Sequence, residues 1–321
     1  MHLLGLSKAC FYGDRCESAA ASAPVWTPRV PAEPTASAKI HLQRRHTITT
    51  APLLYNPEFP RSNRYDADWV LENQMGPNAL WLMEWLTTAV ELKAGMRVLD
   101  LGCGRAMTSI FLAREFGVQV WANDLWITPD HNWRRVKEAG VQDAVFPLRV
   151  EAHALPFAKG FFDAVVSVDA YHYFGTDELY LGYLSGFVRP GGRLGMVVPG
   201  LMREIEEVPD HLLIPQANGK VFWEDECWSF KTAEWWGKLW GRCGRVKNVQ
   251  TAILSDGWRH WCDFERVLEE TGRNLFPSDW QALQSDGGRT IGFVRAVAER
   301  SDAESTNLYD PGIGLQAGAD T

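Results

Sequence analysis

The sequence predicts a doubly wound, mostly parallel α/β sheet, and three observations predict it. Between Arg97 and Val198, short apolar runs of strand character alternate with segments of helical spacing. One of these, VLDLGCGRAMTS from Val98 to Ser109, passes from a buried strand through two glycines into a helix. The 321 residues, 46% of them hydrophobic, supply enough apolar material for one such core with additions, so no second globular domain is required.

The elements follow in order. Residues 1–60 are rich in proline from Ala19 onward and lack apolar periodicity, which predicts a disordered arm. Lys and Arg outnumber Asp and Glu over its first fifty residues, so an organelle transit peptide is the alternative to a plain leader. Folding is expected to begin near Tyr65. Pro77-Asn78 then announces a helix from Ala79 to Leu92, with Leu80, Trp81, Met83, Trp85, Leu86 and Val90 at helical spacing. Next come a strand Arg97–Leu101, a helix Thr108–Phe116, a strand Val118–Asn123, a helix Trp133–Ala139 and a short strand Val145–Val150. A strand ending at Asp169, a helix Asp177–Phe187 and, after the Pro190-Gly191-Gly192 turn, a strand Leu194–Val198 continue the series. Residues 201–232, acidic and proline-containing, are too long for a simple connection and read as an inserted cap. A helix Thr232–Cys243, a strand Val246–Leu254, a helix Trp258–Thr271 and a seventh strand Thr290–Val297 complete one domain over 61–300, followed by a disordered tail, 301–321.

Composition narrows the function. The 32 Lys and Arg against 40 Asp and Glu give a net charge of -8, and no basic run is present to track a phosphate backbone, so nucleic acid is a poor partner. Six cysteines without a C-x-x-C pair suggest neither a metal site nor a disulfide framework and fit a reducing cytoplasm. No apolar run approaches the roughly 20 residues that span a bilayer, which argues against integral membrane association.

The glycine loop carries the chemistry. A dinucleotide fold wants a third glycine where Met107 stands. Instead Asp100 precedes Gly102 and Gly104; its carboxylate would repel a pyrophosphate but suits a ligand bearing an ammonium and a sulfonium, which favours S-adenosylmethionine (SAM) over a nicotinamide cofactor. About twenty residues on, the strand VQVWAND ends in Asp124, where an acidic side chain accepts hydrogen bonds from ribose hydroxyls. Taken singly, Asp100 as a helix cap and Asp124 as a turn residue are the simpler readings; their joint occurrence in register supports the cofactor reading.

With these motifs, VEAHALPFAKGFFDAVVSVD and FVRPGGRL, the stretch Met96–Val198 resembles the class I SAM-dependent methyltransferases. The resemblance implies a Rossmann-like seven-stranded sheet with SAM as cofactor, Leu125 and Asp169 among the cofactor-binding residues, Glu151 and Ala152 facing the adenine, and a helical N-terminal lid. The family usually shows glycine where Ala106 stands and commonly Asp where Glu151 stands. It also implies a small-molecule acceptor, alkylated by in-line displacement.

His172, in VDAYHYFG after the fourth strand, matches the position of a catalytic base in small-molecule members; its alternative role is to orient a loop. Tyr171 is a second catalytic candidate, and Tyr173 would line the substrate side. Tyr65 and Gln74 are lid candidates, against simple helix packing of their neighbours. The tryptophans of EWWGKLW read as core, with an aromatic cage for a cationic amine, including Trp223 and Trp228, as the sharper alternative. Resemblance to cyclopropane fatty acid synthases is weaker, because their Glu-His pair and a basic lipid-docking stretch are missing. Two further alternatives are a non-catalytic SAM-binding protein and a nicotinamide oxidoreductase; acceptor atom and oligomeric state stay open.

Overall fold

The computed structural model describes residues 54–303. The arm before residue 54 and the tail after residue 303 lie outside the described residues. Residues 54–60, read from sequence as arm, belong to the folded body. Leu54 and Phe59 are buried, Phe59 stacks on Trp81 with ring centroids 5.8 Å apart, and the Asn56 amide meets His260 Nδ1 at 3.0 Å. Isolated apolar anchors between prolines have no period, which is why a periodicity argument passes over them.

Two helices lead into the sheet. Helix α1 (Ala67–Asn73) is N-capped by Asp66, which accepts from Trp69 N, and α2 (Ala79–Thr87) by Asn78, which accepts from Leu80 N and Trp81 N. Helix α2 stops before the expected Leu92, because the Thr87 and Thr88 hydroxyls donate back to the Glu84 and Trp85 carbonyls at its last turn.

The sheet has seven strands: β1 (Arg97–Leu101), β2 (Gln119–Asp124), β3 (Val145–Arg149), β4 (Phe162–Val168), β5 (Val188–Leu201), β6 (Val246–Ile253) and β7 (Ile291–Arg300). Their order is β3-β2-β1-β4-β5-β7-β6. The first five run parallel, and β7 enters antiparallel between β5 and β6. Intervening helices α3 (Met107–Phe116), α4 (Pro129–Glu138) and α5 (Tyr180–Ser185) carry the chain across the parallel part. The order in which strands are added reverses between β1 and β4, so a crevice opens where β1, β2 and β4 end.

Side-chain alternation splits the core. Val98, Ala164, Val166 and Val197 pack on one face with α2 and α3, whereas Leu99, Leu101, Leu194, Met196 and Val198 pack on the other with α5 and α7 (Ala233–Gly241). Trp236 and Trp240 of α7 are fully buried in that second layer, as core packing predicts.

The segment after β5 folds as a clamp. Its short helix α6 (Asp210–Leu213) docks on α9 (Trp280–Asp286), which follows the long α8 (Gly257–Thr271). Gln216 Nε2 donates to Asp279 Oδ1, Ala217 N to Gln281 Oε1, and Asn218 Nδ2 to the Ser278 carbonyl. Helix α9 was not expected from sequence, whereas α1 falls in the segment expected to form a helical N-terminal lid.

Candidate active site

The glycine loop is built by backbone that few residues adopt. Gly102 and Gly104 have φ values of 76° and 53°, and Ala106, at φ 60°, occupies the N-cap of α3 in the same left-handed region. A β-carbon on Gly102 would fall 2.3 Å from the Ala170 side chain, so only glycine lets β4's end approach the loop. The loop is held from beneath. Gly102 N and Cys103 N both donate to the Asn123 carbonyl, and Asn132 of α4 donates from Nδ2 to the Gly104 carbonyl at 2.9 Å.

Asp100 stands on the α3 face of β1, as alternation from Val98 requires. Its Oδ2 accepts from the Thr108 and Ser109 hydroxyls, each at 2.6 Å, while Oδ1 is buried without a protein partner. Burial raises its carboxyl to about 6; the two hydroxyls oppose the shift, and the nearby Asp124 charge adds to it. The same burial, with Asp100 and Asp124 beside it, pushes the Cys103 thiol well up. Asp100 therefore ties strand to helix by side chains and does not cap the α3 backbone.

Asp124 is more committed than its sequence position suggests. Oδ2 accepts from Gly104 N at 2.9 Å, and Oδ1 from Trp126 N and Ile127 N at 2.8 Å each. Three of its roughly four acceptor positions thus fix the loop and the turn after β2, with one left for a ligand hydroxyl. Leu125 follows on that turn, 47% exposed, and its carbonyl accepts from Arg149 Nε.

On the neighbouring side, Glu151 is exposed and pairs with His153, through His153 N at 2.7 Å and Nδ1 at 2.8 Å. The Ala152 carbonyl accepts from the Tyr180 hydroxyl, and Leu155 N donates to the Tyr183 hydroxyl, so two α5 tyrosines set this segment's height above the sheet. Asp169 ends β4 at φ 55°, its amide bonded to the Val197 carbonyl.

The three residues after Ala170 form a 3-10 turn, Tyr171–Tyr173, and diverge. His172 is buried, its ring 5.7 Å from Phe230 and 4.0 Å from Tyr173, which is 42% exposed. Tyr171 goes the other way. It lies in the α5–α7 layer, ringed by Phe174, Tyr180, Trp236 and Trp240, and burial pushes its hydroxyl far above the usual tyrosine range. Adjacent residues of a tight turn point apart, so a catalytic Tyr171 is replaced by a packing one.

Tyr65 also moves away from the crevice. Its ring packs on Phe111, its hydroxyl meets Glu115 on the last turn of α3, and burial, followed by that carboxylate, pushes its hydroxyl well above the usual tyrosine range. Gln74, by contrast, stands in the loop between α1 and α2, which lies across the glycine loop. Met75 Sδ would be 3.1 Å from a β-carbon on Gly104, and Asp169 Oδ2 2.6 Å from one on Gly76. Asn132 carries no sequence motif that would have singled it out, and although Arg105 lies within the glycine motif and Met75 and Gly76 within the lid stretch, no spacing assigned them these contacts. A cavity of about 340 Å³, bordered by Arg193 and Glu299, lies at the opposite end of β5.

Residues 98–192 match the family model described as a methyltransferase domain. This segment is a class I SAM-dependent methyltransferase domain. The methyltransferase domain is 36% identical over 116 residues to demethylmenaquinone methyltransferase of Thermus thermophilus, covering 35% of this chain and 52% of that one. It is 29% identical over 132 residues to the methyltransferase GfsG of Streptomyces halstedii, covering 39% and 46%. The chain thus spans about half the length of these curated relatives. Geranyl diphosphate C-methyltransferase from Streptomyces coelicolor, solved with S-adenosylhomocysteine (SAH), shares the fold at a TM-score of 0.55 and 16% identity, covering 78% of this chain and 88% of that one.

The site's own chemistry fits that cofactor. Left-handed glycines admit a ligand against the backbone, and the orphaned Asp100 Oδ1 marks a negative centre without a protein counter-charge.

Proposed function

We propose that the protein transfers a methyl group from SAM to a small-molecule acceptor, with His172 as the base. The observation that carries this reading is the meeting of the Gly102–Gly104 loop, Asp100, Asp124 and the Asp169–His172 turn at the ends of β1, β2 and β4. Gly102, Gly104, Asp100, Asp124 and Leu125 would hold the cofactor's amino-acid and ribose parts, with Glu151, Ala152 and Asp169 alongside. Bound there, SAM supplies an electrophilic methyl on a sulfonium.

The protein's contribution is positional and protolytic. His172 would take the acceptor's proton as the acceptor's lone pair displaced the sulfur from the methyl carbon, SAH being the leaving group. Residues 74–76 lie against the glycine loop and would shield a cofactor bound there from water. A small molecule is favoured over nucleic acid by the net charge of -8, and no described helix is long and apolar enough to cross a membrane.

One observation favours an amine acceptor as a second reading. Trp223 and Trp228 stand nearly perpendicular, 85° apart with ring centroids at 5.5 Å, on the segment that meets the His172 turn. Quaternary-amine binding that survives Trp223→Ala and Trp228→Ala would remove it.

The central test is incubation with methyl-labelled SAM and a metabolite extract, followed by mass spectrometry. A labelled product, lost in Asp100→Ala and strongly reduced in His172→Ala, is the expected result. SAH binding without any labelled product would instead support the non-catalytic reading.

A further inference from the structure

We infer that Arg105 is a positioning residue for the cofactor: from within the glycine loop it caps the C-terminus of α1, and so makes closure of residues 72–76 depend on the state of that loop. The inference rests on the reading of the crevice as the SAM site.

Helix α1 arrives at its end without the means to finish it. Its last turn has no basic residue, and Gln74 follows in extended conformation at φ -66° and ψ 155°, where a left-handed glycine would otherwise fold back onto the carbonyls. The donors come from elsewhere. Arg105 Nη1 donates to the Glu72 carbonyl at 2.7 Å and to the Gln74 carbonyl at 3.5 Å. Arg135 of α4 donates from Nε to Asn73 Oδ1 at 2.7 Å. A guanidinium here also meets the negative end of the helix dipole.

Both arginines are anchored in the glycine loop at their other end. Arg105 directly follows Gly104. Arg135 Nη1 lies 3.4 Å from Asn132 Oδ1, and the same Asn132 side chain holds the Gly104 carbonyl. Burial, and then the Arg105 charge, lower the Arg135 guanidinium from its usual range, so the two cations are close enough to repel. Shared acceptors on one short segment offset that repulsion. The inner side of the segment presses Met75 on Gly104 and Gly76 on Asp169, and Gln74 Nε2 donates to the Arg273 carbonyl at 3.0 Å, just beyond the end of α8. Residues 72–76 are thus tied to the glycine loop, to Asp169, to α4 and to the end of α8, and ligand held at Gly102–Gly104 leaves only when the Arg105 bonds open.

The experiment uses the full chain with SAH as probe. SAH dissociation is followed by stopped flow, and amide hydrogen exchange over 68–76 is measured with and without SAH, for the native sequence, Arg105→Ala and Arg105→Lys. A charged donor on a backbone carbonyl corresponds to about tenfold in an equilibrium. Arg105→Ala should therefore speed SAH dissociation about tenfold, with little change in association, and should deprotect 70–76 even without SAH. Arg105→Lys, which still reaches a carbonyl, should restore much of both. Dissociation from Arg105→Ala within twofold of the native rate would overturn the inference, as would unchanged exchange over 70–76. If the native chain binds no SAH, the proposed function fails, while the exchange of the free protein still decides the latch.

Discussion

Asp100 shows what a single buried carboxyl does to pH dependence. Its folded value of about 6, against 3.8 for the unconstrained side chain, is a raised acid, so burial of the charged form costs stability above that range and costs nothing below pH 4. The ligand-free protein should gain stability as the pH falls from 7 to 5, by about 1 kcal/mol, the rest of the ~3 kcal/mol that a two-unit shift carries being recovered only below pH 4. SAH affinity should move the opposite way and weaken as the pH falls through 6, since protonation removes the negative centre. Calorimetric titration between pH 5 and 8 checks both signs. Ala106 is a second residue with a local consequence. Its left-handed φ of 60° costs an L-residue roughly 1 kcal/mol. Ala106→Gly should raise the urea midpoint; a fall would mean that the packing of its buried β-carbon outweighs the strain. His172→Ala should lower turnover by roughly 10²- to 10⁴-fold while leaving SAH affinity nearly unchanged. The positions of Asp100, Gly102, Gly104 and Asp124 at strand ends were legible because strand alternation and chain spacing fix them. The divergence of Tyr171 from His172 was not, because side-chain direction inside a 3-10 turn has no sequence period.

At the scale of elements, the parallel strands were legible and the docking helices were not. Strands β1 and β4, inside the sheet, declare themselves by nearly continuous apolar runs, since both of their faces are covered. Helix α9 and the cap are held by polar contacts between segments far apart in sequence, which no local pattern encodes. The key contact is Asp286, fully buried, which accepts from Thr290 N and Ile291 N at the start of β7 and pairs with His211 Nε2 at 2.8 Å. Burial alone would raise its carboxyl, yet these partners hold it below the usual value. Its stabilisation is therefore present above pH 4 and is lost as acid protonates it. Asp286→Ala leaves two strand amides and a histidine without their acceptor and should cost roughly 2–4 kcal/mol. His211→Ala should cost less and loosen only the cap, seen as faster hydrogen exchange over 209–220.

For the whole molecule, ligand and fold stabilise one another because the crevice draws on β1, β2, β4 and the lid together. SAH at a hundred times its Kd should add about 2.7 kcal/mol to unfolding stability and raise the melting temperature by several degrees. Asp124→Ala should abolish most of that gain, and it should also lower the ligand-free melting temperature, because the carboxylate holds Gly104, Trp126 and Ile127 before any ribose arrives. A variant that lost only the ligand-dependent part would assign Asp124 to the ribose alone.

The antiparallel pairing of β7 with β5 has a consequence for biosynthesis. Arg193–Leu201 waits for Ile291–Glu299, and residues 202–290 must be translated between them. At ~5–20 residues per second, the ribosome holds a chain with a complete glycine loop but an open β5 edge for roughly 5–20 s. During that interval Leu194, Met196 and Val198, which are buried in the finished protein, lie beside unpaired backbone. Yield in the cell should accordingly depend on chaperone supply and growth temperature more steeply than the stability of the finished protein would suggest.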